Sequence, residues 1–247
     1  MKLLIDAGNS RVKWAAYRGA ECVAKGAAEH GELASLAPVW SQLPLQGAWM
    51  SSVARKEVAD ALAAALACPL HRVHAQSRFG AVCNHYRNTA EQGADRWLAV
   101  LAARELCGGD VIVACAGTAL TVETLTADGD YLGGLILPGY GLMLQSLAQG
   151  TANLDRAAGA VVDFPQGTQD ALASGVMAAL VGAIEGQRRK LAERTGRQPA
   201  TVILTGGDAG RIAPWLAAPL EIVDNLVLMG LLKVANASSG LWRWWWC

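Results

Sequence analysis

Apolar and polar positions along this chain alternate, cluster and pause in a way that predicts short strands interleaved with helices. The run Leu3-Leu4-Ile5 ends on Asp6, turns through Ala7-Gly8-Asn9-Ser10 and resumes as Arg11-Val12-Lys13-Trp14-Ala15, the pattern of a tight β-hairpin. A third strand is predicted over Glu21–Ala28, a helix over Glu32–Ser41 and a strand over Ala48–Val53. An Ala-rich helix follows from Lys56 to Leu66, with Pro69 just past its end, and then a short strand, Leu70–His74. Mixed polarity over Phe79–Gly93 predicts a loop feeding a helix at Ala94–Leu106, in which Trp97, Leu98, Leu101 and Ala102 share a face.

The opening pattern then returns. Val111-Ile112-Val113-Ala114 runs into Cys115-Ala116-Gly117-Thr118-Ala119 and the alternating Leu120-Thr121-Val122-Glu123-Thr124-Leu125. A further strand is expected near residues 131–137, punctuated by Gly133-Gly134 and Pro138-Gly139, with a helix beginning near Gly141. The stretch 150–167 lacks periodicity and is expected to be a mobile or partner-facing loop. A long helix over Thr168–Arg194, a buried strand Thr201–Leu204 leading into Thr205-Gly206-Gly207-Asp208, and a helix over Leu226–Asn236 complete the pattern. The duplication predicts two α/β domains, 1–107 and 108–247.

Each hairpin has the chemistry of a phosphate site. A polar residue ends a strand, Gly permits a tight turn, and small hydroxyl or amide residues surround it, so that amides and side chains face one point. Lys13 adds positive charge to the first copy. An Asp-Ala-Gly-Asn turn also closes hairpins for purely conformational reasons, but its repetition favours the ligand reading.

Composition narrows the class of protein. With 53% hydrophobic and 17% charged residues in 247, the chain has enough apolar material for full cores and reads as globular. A formal net charge of zero and no basic, aromatic-rich patch argue against nucleic acid as a partner. A first strand that reaches Asp6 without a long apolar stretch does not resemble a signal peptide, and the apolar stretch from Ala171 to Ile184 is interrupted by Ser and Gly. Both features predict a cytoplasmic protein with no membrane association.

Cys22, Cys68, Cys83, Cys107, Cys115 and Cys247 form no Cys-x-x-Cys pair and show no His at ligand spacing, which is weak ground for zinc or for disulfides, and most are expected to be small core residues. Five of nine Trp residues lie from Trp215 onward. Most of these are in the tail Leu241-Trp242-Arg243-Trp244-Trp245-Trp246-Cys247, whose aromatic character leaves docking on its own subunit, a dimer contact and disorder all open.

Asp6-x-Gly-Asn-Ser, Cys115-x-Gly-Thr and Thr205-Gly-Gly-Asp resemble the three nucleotide motifs of the acetate and sugar kinase/Hsp70/actin superfamily. Tyr86 followed by Gly93-Ala94-Asp95-Arg96, Gly133-Gly134 with Pro138-Gly139, and Gly167-Thr168 ahead of Ser174-Gly175 are similar to the type III pantothenate kinases. The resemblance covers essentially the whole chain, and Gly-x-Asp-Arg is its most specific element. Taken alone, Asp95 and Arg96 also suit an ordinary helix N-terminus, Tyr86 a packed loop aromatic, and Thr168 an N-cap.

The resemblance implies duplicated ribonuclease H-like (actin-like ATPase) domains with the active site between the halves. The implied activity is transfer of the ATP γ-phosphate to the hydroxyl of pantothenate, the first step of coenzyme A biosynthesis. Residues Asp6, Ala7, Gly8, Asn9, Ser10, Arg11, Val12 and Lys13, with Thr118, would bind Mg2+-ATP. Tyr86, Gly93, Ala94, Asp95, Arg96 and Thr168 would bind pantothenate, with Asp95 as proton acceptor, in a homodimer. The alternatives are a nucleotide-binding accessory factor for transcription and a kinase of another small molecule.

One position departs from the pattern. The family's second phosphate motif usually begins with an Asp that resembles a ligand for an activating monovalent cation, K+ or NH4+, and here the residue is Cys115. A thiol is a poor partner for such a hard ion. Either the cation requirement weakens, or backbone oxygens and a carboxylate such as Glu123 substitute.

Overall fold

The structure is a computed structural model that describes residues 1–237, so the Trp-rich stretch Leu241–Cys247 lies outside the described residues. Contacts divide the chain into two units. The first takes Met1–Phe79, Tyr86–Ala102 and the chain from Asn225, and the second takes Gly80–His85 and Ala103–Asp224. The linear division expected near residue 107 thus differs from the grouping of contacts, chiefly because the last described helix packs with the first strands. Among the described residues no helix is long and apolar enough to cross a membrane.

The first unit is built on β1 (Lys2–Ala7), β2 (Arg11–Arg18), β3 (Glu21–Glu29), β4 (Gly47–Ser52) and β5 (Leu70–Arg72). Their order is β3-β2-β1-β4-β5, with β1, β2 and β3 antiparallel in succession and β4 and β5 parallel to β1. Period-two alternation sends Leu3, Ile5, Ala7, Val12, Trp14 and Ala16 into one apolar core, beneath α1 (Leu36–Ser41) and α2 (Lys56–Ala64). The helix expected over 32–41 is divided, with a 3-10 segment at His30–Ser35 before α1. Pro38 has no amide to donate, so a regular α-helical ladder through this stretch would lack a rung.

On the other face of this sheet α7 (Leu226–Ala237) packs against β1 and β4. Lys2 Nζ donates to Ala235 O and Asn236 Oδ1, each at 2.8 Å. Gly230 of α7 lies so close to Leu98 of α3 (Ala94–Leu106) that a Cβ would sit 2.1 Å from the Leu98 carbonyl oxygen. The unit also holds the two-residue β6 (Arg78–Phe79).

The second unit repeats the plan. Its strands are β7 (Val82–Asn84), β8 (Val111–Ala116), β9 (Ala119–Leu125), β10 (Asp130–Pro138), β11 (Thr201–Thr205) and β12 (Leu220–Ile222). The order β12-β11-β8-β9-β10 has β8, β9 and β10 antiparallel in succession and β11 and β12 parallel to β8, and β7 adds parallel to β10. Five strands of each unit therefore share one topology, which is the duplicated ribonuclease H-like arrangement.

Its core gathers Ile112, Ala114, Leu120, Val122, Val202 and Leu204 with Val176, Leu180 and Ile184 of α5 (Thr168–Thr195). The helices α4 (Tyr140–Gly150) and α6 (Ala209–Ile212) complete it. The segment expected as a loop over 79–93 contains β7, too short at three residues for its alternation to be read. Of the stretch 150–167, Gly150 ends α4 and residues 151–167 have neither helix nor strand, yet they are bonded to α5: Ala160 N donates to Asp170 Oδ1 and Val162 N to Ser174 Oγ.

Candidate active site

The first hairpin closes where Gly8 N donates to Arg11 O at 3.1 Å. Because Asp6 and Lys13 are register partners, their side chains lie on one face of the ladder, whereas Ala7 and Val12 belong to the core and are fully buried. Of the residues 6–13, Ala7 and Val12 thus have only backbone atoms to offer a ligand. The Ala7 carbonyl is already used, accepting from Val53 N at 3.0 Å and Ala54 N at 3.2 Å. His30 Nε2 lies 3.0 Å from Gly8 O. A carbonyl only accepts, so this nitrogen carries the proton and the ring braces the turn. The sequence reading passes over His30, because nothing in the local pattern around residue 30 points back to residue 8.

Asp95 is the second residue of α3. Its Oδ1 accepts from Arg96 N at 2.8 Å. A Cβ at Gly93 would fall 2.5 Å from that oxygen, so glycine there is what lets the carboxylate fold back on the helix start. Burial raises the Asp95 pKa, against the opposing pull of the Arg96 amide and guanidinium. Asp6 is pushed up to about 7, first by burial and then by the Asp95 carboxylate, with Lys13 opposing.

Arg96 is buried, 6% exposed, and donates from Nη1 to the Tyr86 hydroxyl at 2.7 Å, with its guanidinium carbon 5.5 Å from the ring centroid. The first unit thus brings together Asp6 with Lys13 and Asp95, and Arg96 with Tyr86.

In the second unit the equivalent turn is one residue tighter, with Gly117 N donating to Ala119 O at 3.1 Å. The Thr118 carbonyl accepts from Gly139 N at 2.8 Å, which fixes the start of α4 against the turn. Gly206 adopts φ +103°, a region open to glycine, and Asp208 N donates to Ala116 O at 3.1 Å. Thr205-Gly206-Gly207-Asp208 is in this way held against the end of β8. Arg211 lies over the Tyr140 ring, 4.3 Å from its centroid, a cationic group beside this loop that the sequence reading does not select.

Thr168, the first residue of α5, lines a cavity of about 430 Å3 with Met143, Leu147, Leu154, Leu172 and Val176. Cys115 pairs with Thr121, and Glu123 lies two residues along the same ladder face. Glu123 is fully buried and accepts from the Tyr131 hydroxyl at 2.6 Å. The side chains around Cys115 thus give a soft thiol and a carboxylate already engaged by a phenol, a donor set ill suited to a hard monovalent ion.

A family model described as type III pantothenate kinase matches residues 2–190. A type III pantothenate kinase from Chromobacterium violaceum is 85% identical over 236 residues, covering 96% of this chain and all of its own. A solved structure from Campylobacter jejuni, described as a Baf family transcriptional activator, superposes with a TM-score of 0.62 at 19% identity, covering 97% of this chain and 100% of its own. Another from Sinorhizobium meliloti, described as a 2-dehydro-3-deoxygalactonokinase, gives a TM-score of 0.61 at 16% identity, covering 98% and 100%. These two likenesses speak for the fold. By the family match and the near-identity over almost its full length, the chain belongs to the type III pantothenate kinase family.

Proposed function

We infer that this chain is an ATP-dependent kinase that phosphorylates the hydroxyl of pantothenate, the first step of coenzyme A biosynthesis. Family membership carries the reaction. For the chemistry, the supporting observation is Asp95, a buried carboxylate at a helix start whose raised pKa makes it a stronger proton acceptor than an ordinary Asp. In this reading Asp95 takes the hydroxyl proton as that oxygen bonds to the γ-phosphorus and the bond to the ADP oxygen breaks in line. Arg96, positioned by Tyr86, pairs with an anionic group of the substrate. Residues 6–13 and Thr118 bind Mg2+-ATP, their contribution being placement and charge neutralisation. Tyr86, residues 93–96 and Thr168 bind pantothenate.

A homodimer is part of the same reading. The exposed apolar side chains Ile136, Leu142, Val162 and Phe164 of the second unit, Phe164 at 88% exposure, support it. A cytoplasmic location is consistent with the described helices. The side chains near Cys115 favour a reaction with little demand for K+ or NH4+.

The test is pantothenate-dependent ADP formation with Mg2+-ATP, comparing the wild type with Asp95→Asn. Wild-type turnover that falls ~10²- to 10⁴-fold in a folded Asp95→Asn variant is expected. Full activity of the variant would remove Asp95 as the base. A folded, ATP-binding wild type without turnover would overturn the kinase reading in favour of a nucleotide-binding regulator or another acceptor.

A further inference from the structure

Cys83, His85 and Asp130 bring a thiol, an imidazole and a carboxylate to one place in the second unit, with their ligand atoms all within 4.8 Å of one another. Cys83 and His85 are two apart on and just after β7, and so project to the same side. The parallel register sets Asp130 beside Cys83. The sequence reading passes over the pair because a two-residue spacing makes a ligand set only when a strand and its neighbour supply the third donor.

The backbone that carries these three groups is fixed. Cys83 N donates to Gly129 O at 2.9 Å, His85 N to Tyr131 O at 3.0 Å and Asp130 N to Thr126 Oγ1 at 3.0 Å. His85 Nε2 is 2.8 Å from Asp130 Oδ1, both side chains are about half exposed, and Cys83 forms no disulfide.

We propose that Cys83, His85 and Asp130 bind a zinc ion, with water as the fourth ligand. Zinc accepts sulfur, nitrogen and oxygen in one tetrahedron, whereas Mg2+ and Ca2+ avoid thiolates. At bond lengths of about 2.0–2.3 Å, tetrahedral ligand atoms lie about 3.3–3.8 Å apart. The present spread therefore exceeds the bound one by at most about 1.5 Å and brackets it from below at the His85–Asp130 contact, a difference that side-chain rotation spans. Half-exposed donors leave a hydrated ion free to enter. Binding releases the Cys83 proton to solvent and requires His85 Nε2 to present its lone pair, with the ring proton on Nδ1. The ion then clamps β7 to the turn that opens β10, immediately before Tyr86 in sequence.

The experiment is titration of the chelator-treated full chain with Co2+, followed by absorption, and then displacement with Zn2+. The wild type is expected to develop, at one equivalent, a thiolate-to-cobalt charge-transfer band and intense visible bands of tetrahedral cobalt, both abolished by Zn2+. Cys83→Ser should lose the charge-transfer band, and Asp130→Asn should weaken binding by at least ~10-fold, each with an unchanged circular dichroism spectrum. Absence of the band in the wild type, or its persistence in Cys83→Ser, would overturn the site and leave an ordinary His85–Asp130 ion pair beside a thiol.

Discussion

The Asp95 carboxylate at the start of α3 raises the proton affinity of Asp6 on β1, adding to the larger effect of burial, so Asp6 titrates near 7 against 3.8 for a free side chain. Between about pH 4 and 7 the native chain therefore holds a proton that the unfolded chain gives up, and stability falls as the pH rises through that window. Three pH units of this linkage amount to up to about 4 kcal/mol. Asp6→Asn keeps the shape and removes the ionisation. Its Tm should match the wild type near pH 4 and exceed it increasingly towards pH 8; parallel profiles would show that Asp6 ionises freely.

Tyr86→Phe removes one acceptor from a buried guanidinium. It should cost about 1–2 kcal/mol in chemical denaturation, since a charged donor loses a partner without regaining water. Because Arg96 then loses its placement, KM for pantothenate should rise more than kcat falls. Unchanged stability and kinetics would mean that Arg96 is held by its other contacts.

Asp110 ties three parts of the second unit. It accepts from Thr195 Oγ1 at 2.7 Å, Ala127 N at 2.6 Å and Arg197 Nη1 at 3.0 Å, with its side chain 3% exposed. Burial alone would raise its pKa, but these bonds outweigh burial and lower it. Asp110→Ala should lose ~2–4 kcal/mol at neutral pH by urea denaturation. The wild-type advantage is present above the unfolded pKa of about 4 and should shrink as pH falls below it. A gap that persists at pH 2 would assign the loss to packing instead.

Cys115→Asp places a hard oxygen donor and a negative charge where the thiol now stands. Activity measured against KCl should become more steeply dependent on potassium than in the wild type. A flat response in both proteins would remove Cys115 from the question of cation use.

Much of the fold was legible because its strands carry strong apolar signals: β1 and β8 show as continuous runs of Leu, Ile and Val, and β2 and β9 as alternation of apolar with polar residues. The repeat was legible as well, since both hairpins turn on Ala-Gly. What escaped were elements too short to show a period, such as β7 and β12, and relationships made by pairing. His30 reaches Gly8 across the sheet edge, and α7 returns from the end of the chain to cover β1; neither leaves a mark in neighbouring residues. The candidate site divides in the same way. The Gly-x-Asp-Arg residues are contiguous and readable, whereas Asp130 joins Cys83 and His85 through a strand register.

The return of α7 to β1 and β4 also orders events at the ribosome. The strands of the first unit emerge first, but the helix that covers one face of their sheet, with Leu228, Leu231 and Ala235 among its buried residues, is among the last described parts of the chain to be made. The second unit, which needs nothing beyond Asp224, is complete in sequence before the first. The growing chain therefore lacks the helix that covers this β-sheet face throughout the synthesis of the second unit, a period in which the exposed apolar surface is open to unwanted association.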